Sequence, residues 1–120
     1  MNIKESGEMY LETIYLLSQT LDNVRSLDVA NEMGFSKPSV SRAIHLLEND
    51  GLLIIDNNGY LFLTEEGAKM ACDIYERHIV LTKLLENFGV PKEIAENDAC
   101  KMEHIISDIS FEAIKKALMK

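Results

Sequence analysis

Apolar residues recur at helical intervals from the start of the chain. Met9, Leu11, Ile14, Tyr15, Leu17 and Leu21 predict an amphipathic helix over residues 4–21. Ser26 is placed to cap a short helix that runs through Met33 and stops at Gly34. Ser36 caps a second helix, with Pro38 in its first turn, where a missing N–H costs little. That helix turns Val40, Ala43, Ile44 and Leu47 inward and ends near Asp50-Gly51. Two apolar runs follow, Leu52–Ile55 and Tyr60–Leu63, flanking Asp56-Asn57-Asn58-Gly59, and they predict a β-hairpin. Thr64 with Glu65 and Glu66 opens a long helix to about Phe88, which Gly89 ends. Pro91 opens another helix carrying Asp98–His104, and a last one covers about Ile109 to Met119.

Three helices followed by a hairpin is the order of a winged helix-turn-helix, and the four-residue link "MGFS" contains the glycine such a turn uses. The expected fold is therefore mainly α with a small β-hairpin: a winged domain over residues 1–64 and a helical domain over 65–120. The later helices carry Met70, Ile74, Leu81, Leu84, Leu85 and Phe88, more apolar surface than a small winged domain can cover. Dimerisation through this part is expected, with packing inside one chain as the alternative.

Composition narrows the class. At 120 residues, 47% hydrophobic and 27% charged, the chain has material for a packed core. No apolar run approaches the roughly 20 residues of a membrane span, and the first ten residues hold no signal-peptide core, so a cytoplasmic protein without membrane contact is expected. Cys72 and Cys100 make no CxxC pair, and a disulfide is not expected. The net charge of −8 weighs against indiscriminate nucleic-acid binding, because phosphate rewards cations, and leaves room for a locally favourable DNA face. Residues 1–74 hold 5 Lys and Arg against 12 Asp and Glu, and residues 75–120 hold 7 against 8. Bound cations would offset part of the acidic excess.

Charge is distributed differently where a helix-turn-helix meets DNA. Between Met33 and Asn49 the balance is +1, from Lys37 and Arg42 against Glu48. The N-terminal half of the second turn helix, which enters the major groove, offers Ser36, Lys37, Pro38, Ser39, Ser41 and Arg42. Arg42 suits guanine O6 and N7, and the serines suit phosphate or base edges. The plainer alternative is a capping serine and solvated polar residues on a generic bundle. The hairpin tip holds no Lys or Arg, so strong wing contacts to phosphate are not expected, and His45 reads as a solvated histidine.

Near the C-terminus, "DACKMEH" places Cys100, Glu103 and His104 at i, i+3 and i+4, one face of a helix. Sulfur, oxygen and nitrogen together suit a divalent first-row transition ion better than calcium or a four-thiolate zinc site. The bland alternative is a buried thiol beside a solvated Glu–His pair. "CKMEH" also imitates a metallopeptidase pattern, but a chain mostly occupied by a winged helix has little room for a substrate cleft.

Together these segments resemble the diphtheria toxin repressor family of metal-dependent transcriptional regulators, which has iron-responsive and manganese-responsive branches. The resemblance runs from "GEMYLETIYLL" through "SKPSVSRAIHLLENDGLL" and "LTEEGAKMA" to "ERHIVLTKLL" and "DACKMEHIISD". It implies a winged DNA-binding domain joined to a helical dimerisation domain, with metal at their junction. Met9 matches the methionine ligand of the iron branch's primary site, through its thioether or its carbonyl, and Cys100, Glu103 and His104 match the other three. At the second site, His78 matches a shared ligand; the iron branch's carboxylate falls on Thr82, and its histidine falls on Glu96. The manganese branch places an acid at Glu12, which is present, but also acids where this chain has Met9 and Cys100. Soft ligands favour iron(II), with manganese(II) next. The iron branch's third, SH3-like domain is expected to be missing, because the sequence stops before one begins. The implied mechanism has metal select a homodimer whose recognition helices match half-sites on a double-stranded DNA operator, repressing metal-uptake genes without any enzymatic activity. The alternative is a winged-helix regulator that uses no metal.

Overall fold

The computed structural model describes residues 5–119; Lys4, where the first helix was expected to begin, lies outside them, as do both outer limits of the expected domains. The chain forms two compact units, one reaching to Cys72 and the other starting at Asp73.

In the first unit, α1 (Glu5–Ser18) is followed by β1 (Val24–Arg25), α2 (Ser26–Met33), α3 (Lys37–Asn49), β2 (Leu53–Ile55) and β3 (Tyr60–Leu63). Helix α1 stops three residues short of the expected Leu21, which is exposed instead of inward. Its last carbonyls turn to tighter partners: Gln19 N–H donates to Leu16 O and Thr20 N–H to Leu17 O, and the Ser18 hydroxyl donates to Tyr15 O at 2.6 Å. Ser26 is not the cap of α2 either. Arg25 holds that position, with its N–H donating to the Asp28 carboxylate at 2.9 Å. Gly34 ends α2 at φ 72°, a left-handed conformation that glycine adopts without a Cβ clash. The Ser36 hydroxyl caps α3 by accepting from Ser39 N–H, as its spacing implied.

The hairpin is part of a three-stranded antiparallel sheet in the order β1-β3-β2. Leu53 pairs with Leu63 and Ile55 with Leu61, while Val24 and Arg25 on β1 pair with Leu61 and Tyr60. Two residues are too few to show an alternating pattern, which is why β1 escapes a sequence reading. Val24, Leu53 and Leu61 face the core, and Ile54 and Phe62 face out. The core is continuous through Leu11, Ile14, Val29, Val40, Ile44, Leu47, Leu52 and Ala71.

Helix α4 (Glu65–Asn87) begins at the root of the wing. The Thr64 hydroxyl accepts from Gly67 N–H at 3.1 Å and donates to Gly51 O at 2.8 Å, and Thr64 N–H donates to Leu52 O. A Cβ on Gly67 would stand 2.0 Å from Leu52 O, so this first turn of α4 can approach the wing only as glycine.

In the second unit, the remainder of α4 is followed by α5 (Lys92–Met102) and α6 (Asp108–Leu118). Ile74, Leu81, Ala95, Ala99 and Phe111 are buried. Helix α5 ends at Met102, so the expectation of three ligands on one helix needs correction. Cys100 lies in the last turn, Glu103 is the C-cap with near-helical backbone, and His104 belongs to the following corner. The cause is the Met102 carbonyl, which accepts from both Ile105 and Ile106 N–H and closes the chain into a turn.

Candidate nucleic-acid interface and metal centre

At the start of α3, Ser36, Lys37, Pro38 and Arg42 are exposed, while Ser39 and Ser41 are half-buried. The Ser36 hydroxyl also donates to the Ser39 hydroxyl at 2.9 Å, so these two serines are partly committed to holding the helix end. Lys37 and Arg42 carry the available charge. His45 is exposed, 3.7 Å from the Glu48 carboxylate on its own helix. Strand β1 supplies a cation that reading the hairpin alone missed. Arg25 pairs with Tyr60 at the base of the wing, its guanidinium lies 4.9 Å from the Tyr60 ring centroid, and it donates to the phenol oxygen at 3.0 Å. That hydrogen bond holds the guanidinium pKa above its ordinary value.

The second unit gathers a carboxylate and two imidazoles. Glu103 is 1% exposed, with Oε2 3.3 Å from His78 Nδ1 and Oε1 3.4 Å from His104 Nε2. Neither carboxylate oxygen receives a hydrogen bond among the described residues. Burying a carboxylate this way is costly, and a cation between these groups would relieve the cost. A carboxylate oxygen beside an imidazole nitrogen is a pair of donors that a divalent first-row ion accepts, so Glu103 and His104 fit such a metal, while His78 meets the other carboxylate oxygen. Cys100, half-buried one turn before Glu103, carries the thiol.

Glu96 lies nearer the start of α5 and, with His78, Thr82, Lys83, Glu86 and Lys92, lines a cavity of about 410 Å³. Thr82 is buried, and its hydroxyl has no hydrogen-bond partner among the described residues. His78 therefore borders both the cavity and the Glu103 carboxylate. Met9 and Glu12 belong to α1 in the first unit, and both are half-buried. The Met9 carbonyl accepts the Thr13 hydroxyl at 2.9 Å as well as lying within the α1 hydrogen-bond ladder.

The corner that bears Glu103 and His104 is held by Arg77, which sequence reading missed. Arg77 Nη1 donates to Glu103 O at 3.2 Å and to Ile106 O at 2.7 Å. The only signal in the sequence is an arginine beside His78, and nothing in a pattern states which carbonyls it reaches.

The family comparisons divide the chain in two. Residues 2–61 match the model described as iron dependent repressor, N-terminal DNA binding domain. Residues 64–120 match the model described as iron dependent repressor, metal binding and dimerisation domain. The transcriptional regulator MntR of Escherichia coli is 35% identical over 112 residues, 93% of this chain and 72% of that protein. The iron-dependent repressor IdeR of Mycobacterium leprae is 33% identical over 108 residues, 89% of this chain and 47% of that protein. Among solved structures, a manganese-dependent transcriptional repressor in complex with manganese superposes with a TM-score of 0.85 at 28% identity, over 93% of this chain and 52% of that one. The fold and its solved neighbours define a class, the winged-helix repressors with a dimerisation domain. Within that class, this chain belongs to the iron-dependent repressor family. It spans about half the length of several of the curated relatives it matches. These relatives are named as a repressor and a transcriptional regulator, not as peptidases.

Proposed function

We propose that this chain is a transcriptional regulator whose DNA binding is switched on by a divalent transition metal, with iron(II) favoured and manganese(II) next. The observation that carries the reading is the buried Glu103 carboxylate between His78 and His104, which has no hydrogen-bond donor of its own among the described residues. Cys100, Glu103 and His104 would hold the primary ion, joined by Met9 from α1. The Met9 carbonyl already serves Thr13, which supports the thioether as the donor. His78 and Glu96 would serve a second ion, with Glu12 as the acid that the manganese branch uses. Thr82 is neutral, and Lys83 and Lys92 share the cavity, so the second ion should bind more weakly. The metal, when bound, supplies a charge and a set of bonds that fix its ligands to one another.

Residues 1–64 would read a double-stranded operator through Ser36, Lys37, Pro38, Ser39, Ser41 and Arg42. Residues 65–120 would bind metal and form the homodimer. The proposed protein is cytoplasmic; among the described residues no helix is long and apolar enough to cross a membrane. Its targets would be genes for uptake of the same metal.

Selection from a random duplex DNA library, with and without anaerobic iron(II) or manganese(II), tests the whole reading. Metal should enrich a palindromic site for wild type and not for Glu103→Ala. Equal enrichment without metal would favour the metal-independent regulator and defeat the proposal.

A further inference from the structure

Arg77 makes four separate contacts across the α5–α6 corner. Its Nη1 donates to the carbonyls of Glu103 and Ile106, its Nη2 pairs with the Asp108 carboxylate, and its guanidinium lies 5.4 Å from the Phe111 ring centroid. The contacted residues span the C-cap of α5, the turn and the first turns of α6, and His104 lies within that span. A helix end leaves its last carbonyls without partners, and here the donor comes from another helix. The Arg77 side chain is 17% exposed, so water competes weakly for its bonds to the two carbonyls, whereas the Asp108 carboxylate stands in solvent.

We propose that Arg77 is the positioning residue of the metal centre: it fixes the corner that carries Glu103 and His104 against the turn of α4 that carries His78. This rests on Glu103 and His104 being metal ligands. Arg77 and His78 are adjacent on α4, so one turn of that helix both faces the Glu103 carboxylate and grips the Glu103 main chain. Groups that orient ligands without touching the ion typically contribute about 10–100-fold to metal affinity. An arginine suits the task because its planar fork reaches two carbonyls and a carboxylate together, whereas a lysine offers one compact ammonium. A purely structural staple is also present for contrast: Lys115 on α6 pairs with Glu76 on α4 at 3.0 Å.

The test measures manganese(II) affinity of the full chain by the paramagnetic resonance signal of free ion, well below each variant's melting temperature. Arg77→Ala should weaken affinity by about 10–100-fold and Arg77→Lys by at least about fivefold, while Lys115→Ala stays within about twofold of wild type. If Arg77→Ala fails to fold, Arg77→Lys carries the test. The proposal is overturned if both Arg77 variants bind within about twofold of wild type, or if Lys115→Ala loses as much as they do. Unchanged binding by Glu103→Ala would instead remove the ligand assignment beneath it, so the two failures are distinguishable.

Discussion

A carboxylate that is 1% exposed, with imidazole nitrogens 3.3 and 3.4 Å away and no hydrogen-bond donor among the described residues, sits uneasily in a metal-free protein. Metal should therefore stabilise the fold, by about 2.7 kcal/mol when free ion is 100 times its dissociation constant. In thermal melts, wild type should gain this shift with manganese(II), and Glu103→Gln should gain none. If Cys100 is a ligand as proposed, its thiolate is the soft member of the set and should bias the choice of ion. Cys100→Ser should move the preference from iron(II) toward manganese(II), and competition titration reads the ratio directly. The candidate set itself was legible from spacing, since Cys100, Glu103 and His104 stand out in a short string, and the structure brings Glu103 and His104 together. Their setting was not legible. That His104 leaves the helix follows from two amides converging on the Met102 carbonyl. That Arg77 holds the corner follows from contacts across 26 and 29 residues.

At the scale of elements, helix α3 and the junction of wing and α4 carry the clearest expectations. Arg42→Ala should cost about 1–3 kcal/mol of specific DNA affinity if Arg42 reads a guanine, and it should relax preference at one base position. Binding measured against a panel of single-base variants separates this from a phosphate contact, whose loss would weaken every sequence alike. Gly67→Ala should destabilise the first unit by roughly 1–3 kcal/mol or more, because its new methyl would overlap backbone at Leu52. Chemical denaturation followed by circular dichroism measures the loss. Long periodic helices such as α4 and capped ones such as α3 were readable because propensity, caps and tertiary packing agree there. The end of α1, the cap of α2 and strand β1 were not. The first two turn on short-range hydrogen bonds that apolar spacing does not report, and β1 depends on a pairing that a local window does not contain, Arg25 with Tyr60, 35 residues away.

For the whole molecule, a net charge of −8 means that any DNA affinity must come from a local positive face rather than from bulk attraction, and the proposed metal would add to it. Metal and DNA should assist one another by the same factor, with a coupling of typically about 1–3 kcal/mol. Phe88, Ile105, Ile109 and Met119 are all more than three-quarters exposed, apolar area that a second copy would cover. Sedimentation at micromolar concentration should find a dimer, and a monomer both with and without metal would refute that expectation. The root of the wing has a further consequence for calorimetry. Thr64 ties Gly51 and Leu52 to the start of α4, and Gly67 lets that helix press against the strand, so the wing arrives at DNA already built. Recognition by such a part includes no folding step for the wing. The heat-capacity change on operator binding should then track the apolar area buried at the interface, without the excess that marks coupled folding.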